Sequence, residues 1–94
     1  MPGVVRLGDK SQGHGCFPPR QNTMASSTVF ADNKGVHRLG DGWQVHICGK
    51  QSHDGKLSSA SSDVFADNKG VGRIGDSISC GDKAATGSST VIID

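Results

Sequence analysis

The feature that most constrains this chain is an internal repeat. STVFADNKGVHRLGD at 27–41 returns as SDVFADNKGVGRIGD at 62–76, and VFADNKGV is identical in both copies. A third copy is cut in two: GVVRLGD at 3–9 matches the second half of the unit, and SSTVIID at 88–94 matches its first half. A chain that starts and stops inside one unit is expected to close into a ring of three, with its C-terminal strand beside its N-terminal one. An open solenoid would need distinct capping repeats at its ends.

Each unit reads as a β-hairpin. Val and Phe in STVFA favour a strand, and DNKG supplies residues that tolerate the positive φ of a tight turn. GVHRLGD and GVGRIGD then return as short alternating strands, with Val36, Arg38 and Gly40 on one side and His37 and Leu39 on the other. His37 stands where the other units have Val5 and Gly72, so symmetry assigns it nothing, and it is expected on the surface. Asp9, Asp41 and Asp76 end the units and are expected to bond backbone amides where each connector begins. Arg6, Arg38 and Arg73 are expected to pair with them or with carbonyls. No stretch sustains a helical period. The expected fold is all-β, one domain over 1–94: a small cone of pseudo-threefold hairpins whose third repeat is closed by the two terminal strands.

Composition enters as a stability problem. The chain is 33% hydrophobic, with three Phe, one Trp and no Tyr, so it can bury only a thin core. A metal, disulfides or a partner is expected to help. The formal net charge of +1, with opposite signs interspersed, gives no electrostatic case for nucleic acid or an anionic membrane surface. No apolar run is long enough to span a bilayer and the N-terminus lacks a signal-peptide core, which predicts a soluble chain made in a cytoplasm. Three Cys, an odd number, argue against a simple disulfide framework and for ligation by at least one of them.

The connectors after the Gly-Asp pairs diverge from one another, yet they hold the His and Cys residues at matching places. His14 lies five residues after Asp9, His46 five after Asp41, and Cys80 four after Asp76; His53 lies farther along the second connector. Pseudo-threefold closure brings such positions together. Cys48 competes with His46, because Cys48-Gly49 echoes His14-Gly15 and Cys80-Gly81; the distance from Asp41 favours His46. Cys16 reads as a small packed thiol. Four N and S donors suit tetrahedral zinc in a closed structural site, and iron(II) suits similar ligands. Structural zinc contributes on the order of 10 kcal/mol in zinc-finger peptides, which would offset much of the missing core.

Taken together, the VFADNKGVxR(L/I)GD units, the GDKSQGHG opening, His46-Ile47-Cys48 with His53, and GDSISCG resemble the PAAR-repeat family over nearly the whole chain. The segment that gives the family its name reads Gly3-Val4-Val5-Arg6, Gly35-Val36-His37-Arg38 and Gly70-Val71-Gly72-Arg73, keeping only the Arg. The resemblance implies a pointed cone on a triangular base. It implies a tip metal held by three His and one Cys, which by motif position are His14, His46, His53 and Cys80. The base would cap a trimeric β-helical spike, one monomer per trimer, and the tip would touch the target cell membrane transiently. Val29, Phe30, Val64, Phe65, Val91 and Ile92 are the residues expected to face the spike.

The GHGCFPP connector and the end of the sequence at Asp94, without a fused effector, look most like the small versions in contractile-tailed phages. A virion tail-spike tip, part of the baseplate and made in the host cytoplasm, is therefore expected, with neither a small-molecule substrate nor enzymatic activity. Two other readings compete. One is a freestanding structural-zinc interaction module, which should stay monodisperse alone. The other is a type VI secretion spike tip carrying effectors. A metal-dependent hydrolase, with Asp54 beside His53 as base, would need an open coordination position that four protein ligands do not leave.

Overall fold

A computed structural model describes residues 2–94. Its strands are β1 (Phe30–Ala31), β2 (Lys34–Gly35), β3 (Gly42–Cys48), β4 (Gln51–Lys56), β5 (Phe65–Ala66) and β6 (Lys69–Gly70), and no helix occurs among the described residues. The hairpins β1–β2 and β5–β6 are the two intact repeats. Their Asp-Asn turns have positive φ at both central residues, 53° and 66° at Asp32 and Asn33, and 54° and 67° at Asp67 and Asn68. This is the turn that matches strand twist and that Asp and Asn accommodate best after Gly. The split third unit is rebuilt from both ends of the chain. Gly3 pairs with Ile92, the Val4 amide donates to Val91 O at 3.0 Å, and the Ile93 amide donates to Pro2 O at 3.0 Å.

The three units then lock into a closed ring. Val5, His37 and Gly72 occupy equivalent places and form a cycle of backbone hydrogen bonds: Val5 N–H to Gly72 O at 2.9 Å, Gly72 N–H to His37 O at 2.8 Å, and His37 N–H to Val5 O at 2.8 Å. On one side of this ring Val4, Val36 and Val71 pack with Ala31 and Ala66, with Val64 and Ile93 at the margin. On the other side Val5 packs with Trp43, Leu57, Ile78 and Ala84. The hairpins thus close one end and the connectors the other. The extents of 37 × 23 × 21 Å, with two near-equal short dimensions, suit a threefold arrangement about the long axis.

This ring overturns the expectation for His37, which is fully buried rather than exposed. A position on the cycle points inward, and three large side chains cannot share that space. Here Val5 is small, Gly72 has no side chain, and a Cβ on Gly72 would come within 2.7 Å of Leu57 Cδ2. The freed volume takes the His37 ring, which packs edge-on to Trp43 at 5.0 Å and donates from Nδ1 to Met24 O at 2.7 Å. Burial, opposed by the Met24 bond and by the Asp41 carboxylate, pushes its pKa below the ordinary imidazole value. His37 therefore takes up a proton less readily in the folded state than in the unfolded chain, which does so below about pH 6.5. Its contribution to stability is complete above that pH and is lost as pH falls through it. Comparing melting temperatures of the wild type and His37→Val from about pH 7.5 to about pH 5 should show the wild type losing ground to the variant; a pH-independent gap would refute the account.

Each Gly-Asp pair ends a strand with the same clip. The Arg38 amide and Nε donate to Asp41 Oδ2 at 3.0 and 2.9 Å and its second guanidinium nitrogen donates to Oδ1 at 3.1 Å; Arg6–Asp9 and Arg73–Asp76 repeat the pattern. The intervening Gly40 has φ 86°, a left-handed turn position that favours glycine. Burial pushes the Asp9 carboxyl up, but hydrogen bonds from the Arg6 side chain and backbone and from Thr86 outweigh it, so the pKa lies below the usual carboxylate range. The free ends of Arg6 and Arg38 reach on to Asp32 and Asp67 in the hairpin turns, both at 2.8 Å. Turn, strand and connector of adjacent units are tied in this way.

Candidate metal centre

The connectors supply the site. The second one is not the loop its divergence from the other two suggests: β3 and β4 form the longest hairpin of the protein, turned at Gly49-Lys50. His46 and His53 are cross-strand partners in it, so their rings share a face. A register shift between Trp43 and His46 is what allows this. Residues three apart on a regular strand point to opposite faces, but the bulge leaves both Gln44 and Val45 outside and turns both Trp43 and His46 inward. Trp43 anchors the hairpin in the core below, and His46 enters the site above.

The first connector brings His14 in on a tight turn, with mutual backbone bonds between His14 and Phe17 at 3.1 and 2.9 Å. The third is a short turn, Gly81 N–H to Ile78 O at 2.9 Å, that carries Cys80. As a result His14, His46, His53 and Cys80 each offer a donor atom, and these atoms all lie within 4.8 Å of one another.

The cluster fits a tetrahedral cation. Two imidazole nitrogens bound to zinc at about 2.0–2.1 Å lie about 3.3 Å apart; His14 Nε2 and His46 Nε2 are 3.2 Å apart. His46 Nδ1 donates to Pro18 O at 2.9 Å, which leaves the Nε2 lone pair free toward His14. The rings of His14 and His53 lie parallel, 5.3 Å between centroids. Phe17 packs against all three imidazoles, closest to His53 at 4.0 Å, and walls the cluster on one side. Three imidazoles and one thiolate are the donor number that a closed four-coordinate site would need. Asp54 follows His53 on β4 and is exposed on the opposite face, away from the cluster.

Two cysteines depart from expectation. Cys16 and Cys48 form a disulfide with Cα atoms 5.6 Å apart, so Cys16 is not a lone packed thiol and Cys48 is not a competitor for the metal. Each follows a candidate ligand by two residues, His14-x-Cys16 and His46-x-Cys48. Convergence of the histidines therefore carries the cysteines together as well. That shared spacing is a signal in the sequence that an odd cysteine count obscures. Cys80 is the free one. Phe17 and Arg20 carry no comparable signal, since each stands in one connector without a repeat equivalent. Arg20 is buried, and its guanidinium donates to Cys80 Sγ at 3.0 Å and to the His53 carbonyl at 3.2 Å.

Of the residues expected to face a spike, Val29, Phe30, Phe65, Val91 and Ile92 are exposed on the hairpins, with Phe30 and Phe65 60% and 58% accessible. Val64 is half-buried against the Val4 cluster. A family model of the PAAR motif matches residues 8–84 and, in a second overlapping match, 49–94. No curated protein matches the chain.

Proposed function

From the premise that this chain belongs to the PAAR-motif family, whose members form the spike tip of contractile injection machines, we propose that it is the metal-pinned tip of a phage tail spike. In this reading one chain caps one trimeric β-helical spike and makes transient contact with the target membrane. The observation that carries the reading is the division of the closed ring into two unlike ends. The connectors converge on four metal donors at one end, and the hairpins expose Phe30, Phe65 and Ile92 at the other.

These three residues hold equivalent places in the three units. A monomer with this internal symmetry offers each chain of a true trimer a similar surface. Zinc is the metal we assign, on the donor set of three imidazoles and a thiolate, with iron(II) the next candidate. Its part is structural: it ties three connectors to one point, so that axial force reaches the target through a stiff, narrow end. The protein itself performs no chemistry on a substrate.

The test is stoichiometric. Mixed with the blunt end of a trimeric β-helical spike, the chain should form a complex of one copy to three spike chains, read by native mass spectrometry. Three copies per spike, or no complex, would overturn the proposal, and a monodisperse chain that ignores the spike would favour a freestanding zinc module.

A further inference from the structure

Arg20 is a buried cation with no carboxylate partner among the described residues. It is 4% exposed, while Asp9, Asp41 and Asp76 are each taken by the arginine three residues before them. A guanidinium withdrawn from water needs a compensating anion and well-aligned acceptors. The acceptors here are Cys80 Sγ, 3.0 Å from one terminal nitrogen, and the His53 carbonyl, 3.2 Å from the other, while Nε is buried without a partner. Room for the fork comes from Gly55, where a Cβ would come within 3.0 Å of the Arg20 nitrogen that bonds the sulfur.

Resting on the metal reading above, we propose that Arg20 is a positioning residue of the centre, gripping the metal-bound sulfur of Cys80 and the backbone of His53 with one planar fork. The two ligands it ties come from different connectors, and Arg20 itself comes from a third, so the fork fixes their separation before any ion arrives. Once the ion is bound, the N–H···S bond draws electron density from sulfur. This weakens donation to the metal and makes the sulfur a poorer nucleophile toward oxidants and alkylating agents. A flexible ammonium cannot hold both acceptors in this geometry.

The test uses Co²⁺ alone as the probe, added to the full chain with its disulfide intact. Wild type should bind Co²⁺ with tetrahedral visible bands and a sulfur-to-cobalt charge-transfer band. In Arg20→Met that band should move to longer wavelength, Co²⁺ affinity should fall about 10–100-fold, and alkylation of Cys80 in the loaded protein should quicken. Arg20→Lys should recover part of each effect, and it carries the test if Arg20→Met does not fold. A folded Arg20→Met with the wild-type band position and affinity would overturn the inference while leaving the metal site standing. A wild type that binds no Co²⁺ would overturn both.

Discussion

Stripping the metal and reducing the disulfide together should unfold the connector end of this protein, whereas either treatment alone should leave it folded. The reason is that the two fastenings close the same loop. His14 and His46 are 32 residues apart in sequence, and so are Cys16 and Cys48. In the chain-entropy account, cross-linking a loop of that size contributes about 4 kcal/mol. The metal needs the folded site and is released on unfolding, so it leaves the unfolded chain unrestrained and the disulfide keeps its effect with or without it. Reduction should therefore lower the melting temperature of the zinc-loaded protein too, but from a higher starting stability. The same reduction after chelation should cost about 4 kcal/mol, a large part of the 5–15 kcal/mol typical of a whole domain. Cys80→Ala should behave like the chelated protein, losing the metal while keeping the disulfide. Elemental analysis with thermal unfolding, run with and without chelator and reductant, measures the whole cycle. A chelated and reduced protein that keeps the wild-type melting temperature would refute the argument. Cys80→Ala with metal at full occupancy would refute the ligand set.

Spike binding should collapse when the exposed aromatic of each intact hairpin is made acidic. Phe30 and Phe65 hold equivalent places on β1 and β5 and face solvent, so a change there removes little from the core. Burying such a ring against a partner contributes about 1.5–3 kcal/mol, and a carboxylate in its place adds a desolvation penalty. Phe30→Asp and Phe65→Asp should each weaken association by about 10- to 100-fold, in similar measure because the sites are related by pseudosymmetry, and the double variant should show no measurable complex. The melting temperature should stay near wild type. Titration by calorimetry alongside thermal unfolding checks both halves. Wild-type affinity in the double variant would place the docking surface elsewhere. The same variant should also lower self-association of the free chain, since exposed apolar hairpins invite it.

The repeat carried much of this structure into view. Identical VFADNKGV segments imply identical hairpins, since the same residues with the same turn chemistry fold the same way locally. The broken third copy implies closure, and the Gly3–Ile92 pairing supplies it. The Arg–Asp clips follow from a three-residue spacing that lets one carboxylate meet its own strand end. The convergence of His14, His46 and Cys80 is an argument about equivalent positions, and it needs no tertiary detail beyond threefold closure.

What the sequence could not determine lies where equivalence breaks. His37, Val5 and Gly72 are one position with three side chains, and which of them fills the axis depends on volume left by the others, a quantity visible only with Leu57 and Trp43 in place. The second connector hides its hairpin because a bulge breaks the period-two pattern that would have announced it. The disulfide and the Arg20 fork join residues that are remote in sequence, and Arg20 has no counterpart in the other units. Local rules and symmetry are properties of the chain itself; partners without symmetry mates are chosen by packing, and packing exists only once the ring has closed.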